Sequence, residues 1–100
     1  MFRHVVMWNF REGFTDAENA TNALKVKAAL EDLQAAVPEI VKLTLHINQL
    51  KYSTKDVMLD SLFADEAAFL AYMEHPGHIA AGAIVKEFFD GRETFDYHDH

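Results

Sequence analysis

The order strand, helix, strand, strand, helix, strand predicts an α+β sandwich for this chain, the βαββαβ arrangement of ferredoxin-like folds. Three observations carry that prediction. Residues 2–10, 41–50 and 56–64 are runs rich in β-branched and aromatic side chains bounded by turn residues. Two stretches between and after them place apolar residues at helical steps. No repeat, low-complexity run or linker divides the 100 residues, so all elements belong to a single domain.

The first strand, 2–10, carries Phe2, His4, Val6, Trp8 and Phe10 on one face and Val5 and Met7 on the other, so both faces need cover. Thr15 and Glu18 have the spacing of a capping box, and a helix from about 16 to 37 follows, with Ala23, Val26, Leu30, Leu33 and Val37 as its apolar stripe. Pro38 stops it. The second strand alternates Val41, Leu43, Leu45 and Ile47 with Lys42, Thr44, His46 and Asn48. After a polar connector, the third sets Val57, Leu59, Ser61 and Phe63 against Met58, Asp60 and Leu62. Asp65 caps a second helix over 66–74, with Phe69, Leu70 and Met73 expected to face inward. His75-Pro76-Gly77-His78 interrupts it, and a further helical piece with Ala81, Ile84, Val85 and Phe88 runs to about 89 before Asp90-Gly91 ends it. The last strand is 93–97.

Two helices cover one face of a four-stranded sheet, and the other face is also partly apolar. An uncovered apolar face needs a partner, and a second copy of the same sheet is the simplest. The expectation is a two-fold homodimer through sheet faces, forming a dimeric α/β barrel with helices outside.

Sixteen acidic and nine basic residues give a net charge of −7, which repels nucleic acid and anionic membranes. The absence of cysteine excludes disulfides, thiolate nucleophiles and sulfur-held metals, and fits a cytoplasmic protein. No phosphate loop, G-x-S-x-G or H-E-x-x-H is present, and no metal or organic cofactor is expected.

The segment Tyr72 to His78 places Tyr72, His75 and His78 three residues apart around a helix break. A histidine titrating near neutrality and a tyrosine donating a hydrogen bond are a pair able to remove a carbon-bound proton and stabilise the enolate. The structural alternative has His75 capping the next helix and Tyr72 packed in the core. His4, on an otherwise apolar face beside Val6 and Trp8, needs partners for both ring nitrogens, from a polar network or a pocket.

His4-Val5-Val6-Met7-Trp8, His75-Pro76-x-His78 and the closing Phe95-Asp96-Tyr97 together resemble the stress-responsive A/B barrel (Dabb) family over essentially the whole chain. The resemblance implies a dimeric barrel of ferredoxin-like protomers. Most members of that family have no assigned reaction, and one plant member closes a linear polyketide thioester. Its base histidine matches His78, its substrate-holding tyrosine Tyr72 and its first-strand histidine His4, whereas Val57 and Val26-Lys27 stand where it has a histidine and a tyrosine. The resemblance thus implies His78 and Tyr72 as catalytic residues and His4 as a pocket residue, and the residues themselves add His75 and Trp8 as expected contacts to a small carbonyl-bearing or polyketide-like ligand. A non-enzymatic, stress-related oligomeric protein and a cofactor-free oxygenase are the competing classes.

Overall fold

The computed structural model describes residues 1–47 and 50–100, so the strand position expected for Asn48 lies outside the described residues. Its elements are β1 (Phe2–Phe10), α1 (Asp16–Glu31), α2 (Leu33–Ala36), β2 (Ile40–Ile47), β3 (Val57–Phe63), α3 (Glu66–Glu74), α4 (Pro76–Phe88) and β4 (Phe89–His98). The strands form one antiparallel sheet in the order β2-β3-β1-β4, the ferredoxin-like α+β topology expected from the element order.

The capping box forms as its spacing predicts: Glu18 N–H donates to Thr15 Oγ1 at 3.1 Å and Thr15 N–H to Glu18 Oε1 at 2.9 Å. A turn at Asp32 divides the single long helix expected here into α1 and α2. The stripe survives the division, and Ala23, Val26, Leu30, Leu33 and Val37 are all buried. They meet Val6, Leu43, Leu45, Leu59 and Phe63 on one face of the sheet. Phe63 has no exposed surface and packs its ring 5.6 Å from Phe69 and 5.0 Å from Tyr72. Phe63→Ala is expected to cost about 3 to 5 kcal/mol in urea denaturation, because the cavity left behind has rigid walls. A loss below about 1 kcal/mol would mean that the core repacks freely.

Three local expectations are corrected. Strict alternation put Val41 inside, but the register with β3 shifts between Ile40 and Lys42, so Ile40 is buried and Val41 is 44% exposed. Leu70 is exposed, and Tyr72 takes the inward position on α3. Asp90-Gly91 does not end a helix: α4 stops at Phe88 and β4 already begins at Phe89. Gly91 has φ +64° and lies where Met7 pairs with Glu93 but Asn9 with Asp90, an extra residue in β4 opposite Trp8. A β-bulge with glycine in the left-handed region accounts for both facts.

The opposite face of the sheet carries Val5 and Met7, Met58 and Leu62, and Phe95 and Tyr97, with Phe95 66% and Tyr97 41% exposed. At one end Arg3 bridges Asp60 and Asp99, each at 2.7 Å. The outer edge of β2 is occupied from within the chain. Gln34 Oε1 accepts from Leu43 N–H at 3.0 Å, Glu31 Oε2 from Leu45 N–H at 2.9 Å, and Lys27 Nζ donates to the Leu45 carbonyl at 2.7 Å.

Candidate functional site

A cavity of about 470 Å³ opens between the helix-facing side of β1 and β4 and the inner side of α3 and α4. That volume suits a small organic molecule. Its walls are mostly aliphatic, its polar groups come from His4, Tyr72, His78, Lys86 and Arg92, and Trp8 also lines it.

The helix break builds the site. His75 stands in extended conformation as the N-cap of α4, its Nδ1 accepting from Gly77 N–H at 2.9 Å, and Pro76 follows where a missing amide costs nothing. A Cβ on Gly77 would lie 3.1 Å from both His75 Nδ1 and Leu33 Cδ2, so a bare residue lets α4 close on α2. His78 then falls one turn into the helix, with its ring 4.5 Å from that of Tyr72. His75, expected among the ligand contacts, does not line the cavity: its Nδ1 is taken up by the cap of α4.

Tyr72 is 1% exposed as a residue and packs against Phe63, and burial pushes its phenol up to about 12. The hydroxyl therefore stays protonated at neutral pH. Among the described residues no hydrogen bond reaches it, and it is not sealed away as an orphaned buried atom, so it keeps its donor for the cavity. His78 donates from Nδ1 to the Met73 carbonyl at 3.1 Å, since a carbonyl can only accept; in the neutral ring the lone pair is then on Nε2. Desolvation holds His78 below its ordinary value of 6.5, with nearby His4 and Arg92 adding to the effect and the Met73 carbonyl opposing it. The unfolded chain thus binds this proton more readily. Folding stability from His78 is complete above pH 6.5 and declines as pH falls through the lower folded value. A titration of the His78 Cε1–H resonance is expected to find its midpoint below 6.5, and a midpoint above it would contradict the desolvated setting.

His4 is buried, with its ring 4.7 Å from Phe69 and its Nδ1 against the Asp96 carboxylate. Asp96 fixes a proton on Nδ1 and so assigns the other nitrogen, Nε2, to whatever else His4 meets. Sequence spacing did not single out Asp96, Lys86 or Arg92. The signal for Asp96 was strand pairing, because Asp96 is the β4 residue opposite His4. Val26 and Val57 are buried in the core and do not line this cavity.

In a wider groove of about 780 Å³ beneath the β2–β3 connection, the charged side chains are already engaged. Lys27 holds Glu31 and the Leu45 carbonyl, Asp56 accepts from Phe10 N–H, and Lys55 donates to the Gly91 carbonyl. Among the described residues no group of three His, Cys, Asp or Glu side chains gathers to hold a metal, and no helix is long and apolar enough to cross a membrane.

Fold and cavity together define a ferredoxin-like α+β domain built around a small chamber between sheet and helices. The stress-responsive A/B barrel domain model matches residues 2–99, and the chain belongs to that family. A dimeric protein of unknown function and ferredoxin-like fold from Bacteroides fragilis is 28% identical, with a TM-score of 0.89 over 98% of this chain and 95% of that one. A dimeric ferredoxin-like protein of unknown function from Thermobifida fusca is 26% identical, with a TM-score of 0.80 over 96% and 88%. A hydroxynitrile lyase from Passiflora edulis, 14% identical, shares the fold with a TM-score of 0.74 over 96% and 90%. No curated protein matches in sequence.

Proposed function

We propose that this chain is a cytoplasmic homodimer, joined through its sheet faces, that binds a small carbonyl compound in the cavity of each protomer and transforms it by acid–base chemistry. The observation that carries the reading is the convergence of three ring side chains, His4, Tyr72 and His78, on one cavity whose walls are mostly aliphatic. His78 Nε2 is the base that takes a proton from carbon next to the carbonyl. The electron pair moves onto the carbonyl oxygen, to which Tyr72 donates, so that charge develops beside a fixed donor in a poorly solvated site. Return of the proton to a different atom gives isomerisation, and attack of the enolate on a second carbonyl of the same molecule gives cyclisation. His4, set by Asp96, is a second polar contact, and Trp8 supplies an apolar wall. No metal or organic cofactor enters the scheme. The homodimer is supported by the apolar open face and by the dimeric relatives from Bacteroides fragilis and Thermobifida fusca.

Trp8 is the single tryptophan of the chain and lines the cavity, so its emission reports occupancy. Titration with 2-tetralone, a compact aromatic ketone, is expected to quench it. Tyr72→Phe should weaken that binding about 3- to 10-fold, the worth of one hydrogen bond. No quenching, or equal affinity in the variant, would remove Tyr72 from the ligand's surroundings.

A further inference from the structure

The mouth of the cavity is charged against the sense of the whole molecule. The chain carries 16 acidic residues to nine basic ones, yet the cavity lining includes Lys86 and Arg92 and neither Asp nor Glu. Most other cations are engaged: Arg3 holds Asp60 and Asp99, Arg11 the Lys86 carbonyl and Asp90, Lys27 Glu31, and Lys55 the Gly91 carbonyl. Among the described residues, no ion pair or hydrogen bond reaches the side chains of Lys86 or Arg92. The backbone also sets where Arg92 stands. Opposite β1, the helix-facing residues of β4 are Thr94, Asp96 and His98, which share the parity of Arg92, whereas the buried Phe89 has the other parity. The bulge at Gly91 switches the alternation, so that Phe89 enters the core at one end and Arg92 still faces the cavity at the other. Lys86 approaches from α4 on the opposite wall.

Resting on the cavity reading above, we infer that the ligand is an organic carboxylate, its acid group held at the mouth by Arg92 and Lys86 and its apolar body directed toward Trp8, Tyr72 and His78. A guanidinium fork matches a planar carboxylate with two parallel hydrogen bonds, and a neighbouring ammonium adds charge without competing for the same geometry. The mouth has no glycine-rich loop of the kind that wraps a phosphate. Arg92 also bears on the chemistry, because its charge is one of those that keep the His78 ring neutral.

Calorimetric titration with 2-naphthoate and its neutral isostere 2-naphthamide tests the inference. At low salt the acid is expected to bind at least about tenfold more tightly than the amide, with the advantage shrinking as salt is added. Arg92→Gln should bring the ratio close to one, with an unchanged far-UV circular dichroism spectrum certifying that the variant is folded; Lys86→Gln should reduce the ratio in part. A wild-type ratio near one, or a ratio that Arg92→Gln leaves intact, overturns the carboxylate assignment. Tyr72→Phe separates that result from failure of the cavity reading. If the variant weakens both probes without altering their ratio, the cavity stands on its own, whereas failure of both probes to bind the wild-type chain removes cavity and carboxylate together.

Discussion

In D2O, the wild-type protein is expected to exchange the α-protons of 2-tetralone about 10² to 10⁴ times faster than buffer, the usual contribution of a positioned general base, and His78→Ala is expected to lose that acceleration. The variant removes the cavity ring whose Nε2 lone pair the desolvated setting keeps available at neutral pH. Tyr72→Phe retains the ring that packs on Phe63 and loses only the donor, so its rate should fall by about 10² or more while its melting changes little. Stability separates this outcome from a purely structural role. His78 is only part-buried and makes one hydrogen bond to the chain, so its removal should cost about 1 kcal/mol. Unchanged exchange in His78→Ala, or no acceleration by the wild-type protein, would leave a binding protein without this chemistry.

Phe95→Asp is expected to turn a dimer into a monomer in light scattering without unfolding the protomer. Phe95 is 66% exposed in the single chain, so the substitution costs the fold little. In a two-fold interface each substitution occurs twice. Losing roughly 2 kcal/mol of aromatic burial per copy removes about 4 kcal/mol, close to a thousandfold in the dissociation constant, before any charge is brought into the contact. A variant that stays dimeric, or a wild-type chain that is monomeric at micromolar concentration, would deny the sheet face its partner.

The fold was largely legible because its signals are local and agree with one another. Thr15 and Glu18 start a helix at a fixed spacing, and the stripe from Ala23 to Val37 holds even across the turn at Asp32. What escaped was register. The bulges near Val41 and Gly91 each insert one residue and reverse the alternation that a strand pattern relies on, and Asp90-Gly91 reads as a helix stop because the same glycine conformation serves both purposes. In the site, Tyr72, His78, His4 and Trp8 come together as their spacing and strand parity suggest. Asp96 and Arg92 are not legible as site residues because their relation to His4 and the cavity depends on β4 pairing with β1 across some ninety residues of chain, a link that spacing along the sequence does not record, and Lys86 on α4 joins Arg92 at the cavity only through that same closure of the fold.

The side chains of Gln34, Glu31 and Lys27 lie across amides and a carbonyl that an unprotected outermost strand would offer to any passing chain. With that border closed, strand-by-strand polymerisation has no starting point on the β2 side. In the proposed homodimer, association is steered instead to a broad face that can be satisfied once and then is used up, so a sticky protomer would end as a finite assembly and not as a growing ribbon.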